Sequence, residues 1–162
     1  MNKFEYEKVV SKRGDEMIPG GKGSLTDLGT NVPLIIRWPA NIKEAAVTDT
    51  LVDFTDFSVT FAELAGQGRP RKGLVGHSLA PLLKGEDFDS RAWVLAQGRD
   101  GKMWTRTQQY KLYSDGKFYD VQRDPHEKKP LDPEDESDAA KTRAMLQQYL
   151  PGALVSGTSF WR

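Results

Sequence analysis

The chain has 162 residues, with 23 basic and 23 acidic side chains that cancel and no cysteine. The length suffices for one ordinary domain, and the balanced charge excludes a partner recognised through excess positive charge, such as nucleic acid or an anionic membrane. Without cysteine there is no disulfide framework, no thiolate metal site and no cysteine nucleophile.

The N-terminal segment predicts neither a signal peptide nor a membrane anchor. It alternates charged and apolar residues, and nowhere does the sequence have the roughly 20 consecutive apolar residues of a membrane span. Residues 3–22 are polar and turn-rich, with glycines on both sides of Lys22, which predicts a loop. We therefore expect a soluble chain, of a cellular location that the sequence does not indicate.

Residues 32–39, Val-Pro-Leu-Ile-Ile-Arg-Trp-Pro, form a nearly continuous apolar run bounded by prolines. Such a run is typical of a strand that is buried on both faces. A strand of this kind needs neighbours, and the first half of the chain has no second run like it. We therefore expect most of its sheet to belong to a longer protein that begins before Met1, and residues 34–38 to expose apolar surface in this chain, with possible self-association there.

Residues 55–66 predict an amphipathic helix that begins at Thr55 or Asp56 and stops at Gly66. Farther along, residues 78–83 predict a short apolar turn or helix. The apolar residues of the first helix fall at helical spacing and should face inward: Phe57, Phe61, Leu64 and Ala65.

The second half of the chain predicts a small antiparallel sheet followed by a helix. An Asp115-Gly116 pair supplies the positive-φ residues of a tight hairpin turn. Residues 124–136 are acidic and predict a loop, after which Ser137 caps a last helix that ends before Pro151. The predicted strands are residues 92–97, 102–107, 110–113 and 117–121.

Short motifs follow one another along the first half. Gly-Gly-Lys22-Gly precedes the apolar run of residues 32–39, as in a lysine loop followed by a VPLIIRWPG-like strand. Residues 56–66 are similar to the helix motif D-x-x-P-T-x-x-x-L-A-G, with Val59 in place of the usual proline. Residues 76–85 are similar to G-x-S-L-x-P-L-L-x-G.

The second half adds three motifs, similar to Y-K-L, L-Y-D-L and D-P-x-E, at residues 110–112, 118–121 and 124–127. The combination resembles the C-terminal part of the formylglycine-dependent sulfatases, in the arylsulfatase family of the alkaline-phosphatase-like superfamily. The resemblance implies an α/β fold of which only the C-terminal portion is present. Residues 1–90 would be the tail of the catalytic domain, with the end of its large mixed sheet, and residues 91–162 a small α+β subdomain with an antiparallel sheet and a terminal helix.

The resemblance also implies a chemistry whose main residues are elsewhere. In the family a cysteine or serine within Cys/Ser-x-Pro-x-Arg is oxidised to formylglycine, and a divalent cation, usually calcium, neutralises the sulfate oxygens. Both would lie before Lys22. This chain has no cysteine and no Ser-x-Pro-x-Arg, and Asp15-Glu16 does not match the metal motif of the family. We therefore expect no cofactor and no metal in this chain.

Lys22 is the one catalytic residue that the resemblance implies, as a lysine that binds sulfate oxygens. Trp104 and Arg106 are weaker candidates for the rim of a substrate pocket, although aromatic residues are common in strands without any such role. His77 and His126 lack partners at metal-ligand spacing and are interpreted as surface or turn residues.

Three functions remain open at this point. The chain is a fragment of a sulfuric ester hydrolase, inactive alone and binding a sulfate ester only together with the preceding catalytic region. Alternatively it is a non-catalytic binding or structural domain derived from a sulfatase. A fragment of a related phosphodiesterase or phosphonate hydrolase is the third possibility, since these enzymes share the superfamily. Family members are often periplasmic, secreted or lysosomal.

Overall fold

The computed structural model describes residues 10–42, 45–67, 75–98, 101–132 and 137–150. The chain divides into two compact units, each considered by itself. The sheet unit comprises Met1–Pro33, Leu95–Thr105 and Gln109–Arg162, and the helix unit comprises Leu34–Val94 and Arg106–Gln108.

The described part of the sheet unit begins with a β-hairpin where the sequence predicted a loop. Strand β1 (Val10–Arg13) pairs antiparallel with β2 (Glu16–Pro19). Gly14 between them has a φ of 62°, as the first central residue of a type II′ turn requires. The loop prediction over residues 3–22 is therefore wrong at these strands. Their few apolar residues do not alternate with polar ones, so no strand pattern was visible in the sequence.

Nearly all of a four-stranded sheet lies in the sheet unit, in the order β3-β4-β5-β6. Strands β5 and β6 are antiparallel, with Leu112 opposite Phe118. All four predicted strands are confirmed: β5 has the predicted bounds, and the other three are slightly shorter than predicted. Their bounds are β3 Val94–Gln97, β4 Met103–Arg106, β5 Tyr110–Tyr113 and β6 Phe118–Asp120.

The hairpin turn between β5 and β6 has three residues rather than two. The amide of Tyr113 donates to the carbonyl oxygen of Lys117 at 2.8 Å, and the amide of Gly116 donates to that of Tyr113 at 2.9 Å. Gly116 has a φ of 88°, whereas Asp115 is not in the positive-φ region. This is the three-residue loop with glycine in the left-handed position. The predicted turn is confirmed, but Gly116 alone supplies the positive φ.

Helix α4 (Asp138–Gln147) packs on β5 and closes the core of the sheet unit. The Ser137 hydroxyl accepts a hydrogen bond from the Ala140 amide at 3.1 Å, which confirms the predicted N-cap. Four apolar side chains of this core are at most 1% exposed: Leu112, Phe118, Leu146 and Leu150. Burying one leucine or phenylalanine side chain stabilises a fold by about 1.5–3 kcal/mol.

The helix unit contains α2 (Phe54–Leu64) and the short α3 (Ala80–Lys84), both predicted from the sequence. The N-cap of α2 is Asp53, whose carboxylate accepts from the Thr55 amide at 2.8 Å. Asp56 reaches back to accept from the Asp53 amide at 2.7 Å, which completes a capping box. The prediction of Thr55 or Asp56 as the N-cap is therefore wrong by two or three residues.

Helix α2 buries a different face from the one predicted. Its buried residues are Asp56, Val59 and Thr60, each at most 2% exposed, whereas Phe61 is 66% exposed and stacks on Phe57. The prediction that the phenylalanine face points inward is wrong in this unit. The polar side chains of Asp56 and Thr60 bind backbone amides of the segment before α3, and these bonds turn their face inward.

Residues 32–39 do not form the predicted strand. They are irregular and largely exposed, with Ile35 at 89% and Leu34 at 45%. A strand exists only with a hydrogen-bonded neighbour, and none of the strands in the described residues pairs with this segment. The strand prediction is therefore wrong for this chain, while the predicted apolar exposure of residues 34–38 is confirmed.

Two further predictions meet the limits of the described residues. Residues 124–132 form the predicted loop, but residues 133–136 and Pro151 lie outside them. Among the helices that are described, none has the length and apolar character needed to cross a lipid bilayer.

Candidate functional site

Lys22 lies in the lysine loop, defined here as residues 20–30, which follows β2 and ends with the single-turn helix α1 (Asp27–Thr30). The Ser24 amide donates to the Gly21 carbonyl oxygen at 2.8 Å and closes a turn around Lys22. Gly23 completes this turn with a φ of 84°. The Lys22 side chain is exposed, so the turn presents its ammonium group outward.

Gly29 lets the two ends of the lysine loop pack together. A Cβ atom at this position would lie 2.3 Å from the carbonyl oxygens of both Gly21 and Ser24. No Cβ atom tolerates such an approach to backbone atoms, so the packing requires glycine. The turn around Lys22 is therefore held from its C-terminal side by α1.

The Lys111 side chain is completely buried in the sheet unit, and its ammonium group contacts the lysine loop. Nζ donates to the carbonyl oxygen of Leu25 at 2.8 Å, to Glu127 Oε1 at 2.8 Å and to Asp27 Oδ1 at 3.1 Å. These acceptors satisfy all three donors of the ammonium group. Taking a charge out of water costs several kcal/mol, so its burial requires compensation of this kind.

Tyr113 completes what is called here the buried ion cluster: Lys111, Asp27, Glu127 and Tyr113. Its hydroxyl group hydrogen-bonds to Glu127 Oε2 and lies 3.0 Å from the carbonyl oxygen of Leu25. Burial, and then the hydrogen bond to Glu127, raise the pKa of Tyr113 above the ordinary value of 10.0. The phenol is therefore a proton donor in the cluster at neutral pH.

Two aromatic rings and one unusual backbone conformation support the cluster. Lys111 Nζ lies 4.6 Å from the ring centroid of Trp104 and 5.1 Å from that of Tyr113, both within cation–π range. Glu127 has a φ of 53°, which is uncommon for a residue with a side chain. Its carboxylate is held by Lys111 and Tyr113 and accepts the Asp27 amide at 3.3 Å.

A cleft of about 520 Å³ adjoins the lysine loop within the sheet unit. Gly23, next to Lys22, contributes to one wall, and two lysines contribute to another, Lys102 and Lys117. Lys117 also lies 3.5 Å from the carboxylate of Asp115. The buried ion cluster borders the cleft through Tyr113 and Glu127. The lining therefore holds two lysines and two carboxylates, those of Asp115 and Glu127, so the cleft offers cationic groups to an anionic ligand without an excess of positive charge.

In the helix unit the motif residues bind one another. Asp56 is fully buried, and its carboxylate accepts from the His77 amide at 2.7 Å and from the Arg91 guanidinium. The Thr60 hydroxyl accepts from the Leu79 amide at 2.8 Å. These bonds join the D-x-x-P-T-like helix to the G-x-S-L-like segment, so here the two motifs stabilise the fold.

The structure places the other predicted site residues as follows. Trp104 is 5% exposed, beneath Lys111, and the Arg106 guanidinium donates to the carbonyl oxygens of Thr107 and Gln108. The pocket-rim role of both residues stays a prediction, as does the sulfate-binding role of Lys22. His77 contributes its backbone amide to the helix unit.

Among the residues that the structure describes, no group of three or more histidine, aspartate or glutamate side chains is placed to hold a metal ion. The two carboxylates nearest to the lysine loop, Asp27 and Glu127, already bind the Lys111 ammonium group. His126 pairs with Glu16 at 2.6 Å instead of converging on them.

Sequence reasoning named the motifs that contain Lys111 and Glu127 but gave these residues no role. No signal in the sequence pointed to Lys111, because a lysine between Tyr110 and Leu112 fits the ordinary polar/apolar alternation of a half-buried strand. The contact itself was hidden, because Lys111 and Leu25 are 86 residues apart.

Comparison with known proteins shows a family that most of this chain matches. The family described as N-sulphoglucosamine sulphohydrolase, C-terminal, matches residues 22–153. The ulvan-active sulfatase of Formosa agariphila is 38% identical over 74 residues, which cover 46% of this chain and 15% of that protein. Steryl-sulfatase of Mus musculus is 35% identical over 88 residues, which cover 50% of this chain and 14% of that protein.

A solved structure gives the same result for the fold. It contains a protein in complex with its substrate, D-glucosamine-2-N,6-O-disulfate, and is 25% identical to this chain with a TM-score of 0.54. The superposition covers 75% of this chain and 27% of the other. The chain thus matches only 14% and 15% of the lengths of the two curated relatives.

Proposed function

Since the chain belongs to the family described as N-sulphoglucosamine sulphohydrolase, C-terminal, we propose that it forms one side of the active site of a sulfuric ester hydrolase. In this proposal Lys22 donates charge-assisted hydrogen bonds to the sulfate oxygens as negative charge develops on them. A preceding catalytic region supplies the formylglycine nucleophile and the cation. The chain alone is then not catalytic.

The observation that carries this proposal is the exposed Lys22 on a closed turn beside a cleft lined by further lysines. A hydrogen bond to a charged group contributes about 1.5–3 kcal/mol. A donor held in place before the reaction acts without reorganisation, which is why fixed donors stabilise developing charge well. The closed turn and the packing of Gly29 supply this fixation for the backbone that carries Lys22.

The need for a preceding region follows from the residues that the sequence lacks. The chain has no cysteine and no Ser-x-Pro-x-Arg, so it cannot form formylglycine at that motif. The carboxylates beside the lysine loop are bound to Lys111. We therefore assign no step of the reaction to a metal in this chain and place the cation, calcium by resemblance, in the preceding region.

The proposed substrate is a sulfate ester without further specification. The relatives are named for different substrates, an ulvan-active sulfatase and a steryl-sulfatase, and the solved structure contains an amino sugar disulfate. The lysine loop resembles that of sulfatases, which favours sulfate over phosphate esters.

The test compares the 162-residue chain with a longer protein in which a Cys-x-Pro-x-Arg catalytic region precedes it. That region is taken from the reading frame upstream of Met1 or, failing that, from the Formosa relative. We expect hydrolysis of 4-nitrophenyl sulfate by the longer protein only, with 4-nitrophenyl phosphate as the competing substrate. Turnover by the short chain would refute the proposal, and a preference for the phosphate ester would favour the phosphodiesterase alternative.

A further inference from the structure

We propose that Lys111 is a positioning residue for Lys22, acting through the buried ion cluster on the backbone of the lysine loop. This inference rests on the proposed function, in which Lys22 contacts the substrate. Lys111 itself is completely buried and is not among the residues that line the cleft.

The three hydrogen bonds of the Lys111 ammonium group connect the sheet to the lysine loop. One goes to the backbone of the lysine loop at Leu25, one to Asp27 in the first turn of α1, and one to Glu127. Glu127 in turn accepts from the Asp27 amide at 3.3 Å. Lys111 and Glu127 therefore both bind Asp27, and Lys111 also binds the carbonyl oxygen of Leu25.

Leu25 is connected to Lys22 through the closed turn. Leu25 follows Ser24 directly, and the Ser24 amide closes the turn on Gly21 at 2.8 Å. Lys22 and Gly23 are the two residues enclosed by this bond. A shift of the Leu25 carbonyl group is therefore passed to the turn through a single peptide unit.

Lys111 also balances charge beside the lysine loop. Without the Lys111 ammonium group, the carboxylates of Asp27 and Glu127 would lie beside the lysine loop without their cation. Two like charges in a low-dielectric site repel each other, and this repulsion would push Asp27, and the loop backbone that carries it, away from Glu127. The ammonium group thus holds the loop both by its hydrogen bonds and by neutralising this repulsion.

The cluster brings three separate segments of the chain together. The lysine loop, the Y-K-L strand and the D-P-x-E loop meet at Lys111, across separations of 86 and 16 residues. A buried ion pair is replaceable by apolar residues when only stability is required. Three motifs that converge on one ammonium group are better explained by the need to place one loop.

The test is a double-mutant cycle in the longer, active protein, with Lys22→Ala, Lys111→Met and the double variant. If Lys111 acts through Lys22, Lys111→Met lowers kcat/KM about 10- to 100-fold in the wild-type background and has little further effect in the Lys22→Ala background. Equal losses in both backgrounds, or no loss in the first, overturn the inference. Lys141→Met, on an exposed residue of α4, is the matched control.

A second measurement judges the inference separately from the proposed function, because it uses the 162-residue chain without any activity. Hydrogen exchange of the amides of residues 24–31 is compared between wild type and Lys111→Met, with Tyr113→Phe as a milder variant in case the first does not fold. We expect exchange in residues 24–31 to be about tenfold faster in the variants, with α2 unchanged. Unchanged exchange in residues 24–31 overturns the inference. If Lys22→Ala has no effect on activity while this exchange increases, the proposed function fails but the hold on the loop stands.

Discussion

At the scale of single residues, Asp56 combines complete burial with several hydrogen bonds in the helix unit. Its carboxylate is fully buried and accepts from two backbone amides, those of Asp53 and His77, and from the Arg91 guanidinium. Gly76, next to His77, approaches α2 so closely that a Cβ atom would lie 2.2 Å from the Thr55 carbonyl oxygen. The Asp56 side chain therefore holds both the N-terminus of α2 and the segment around His77 that precedes α3.

Replacing Asp56 by alanine should destabilise the helix unit strongly. The change leaves a largely buried guanidinium and two partly buried amides without their acceptor, and breaking a buried ion pair in this way costs about 3–5 kcal/mol. Urea unfolding followed by circular dichroism measures the loss. Asp89→Ala, at an exposed position, is the control, and an equal effect of the two variants would contradict the role assigned to Asp56.

The raised pKa of Tyr113 predicts that the unfolding free energy of the sheet unit depends on pH. Because its pKa is raised above 10.0 in the folded protein, the native state keeps the phenol proton at pH values where the unfolded state loses it. The stabilisation is thus complete below pH 10 and is lost as the pH rises further. Unfolding free energies measured at increasing pH should fall by up to about 1.4 kcal/mol per pH unit more in the wild type than in Tyr113→Phe. Parallel curves would contradict this account.

At the scale of elements, turn and cap residues in the sequence correctly predicted the elements that depend only on neighbouring residues. The turn glycine Gly116 and the cap Ser137 identified the β5–β6 hairpin and α4, because each acts on its own neighbours in the chain. The β1–β2 hairpin was missed, since its strands lack alternation. Residues 32–39 have the composition of a buried strand, but composition does not provide the neighbouring strand. For α2, Asp56 and Thr60 are buried because of bonds to distant amides, which periodicity does not reveal.

The exposed apolar surface of the helix unit should bind hydrophobic dyes. Ile35 is 89% exposed, and on α2 Phe54 is 78% and Phe61 66% exposed, each with its ring against that of Phe57. Exposed apolar surface of this kind favours association. We expect fluorescence of anilinonaphthalene sulfonate on binding and concentration-dependent self-association, both reduced in Ile35→Ser and Phe61→Ser. Because these side chains are exposed, the unfolding free energy should change by less than about 0.5 kcal/mol. A monomer that binds no dye would argue against this surface.

At the scale of the whole molecule, the candidate site joins residues that are far apart in sequence. Lys22 was identified from its motif, since glycines and a following apolar run are visible in the sequence. The buried ion cluster was not identified from the sequence, because Lys111 and Asp27 are 84 residues apart. In addition, Glu127 reaches Lys111 from a left-handed backbone conformation that the sequence does not indicate. The family match covers residues 22–153, which include every member of the cluster. In the proposed function the chain thus supplies Lys22 together with the buried ion cluster that supports its loop.

The central claim is that Lys22 binds the sulfate group of the substrate. The most direct measurement is kcat/KM for 4-nitrophenyl sulfate in the longer, active protein, compared between Lys22→Ala and the exposed-lysine control Lys141→Ala. The loss of charge-assisted hydrogen bonds predicts a decrease of about 10- to 100-fold for Lys22→Ala and no change for the control. Equal activities of the two variants would contradict the claim.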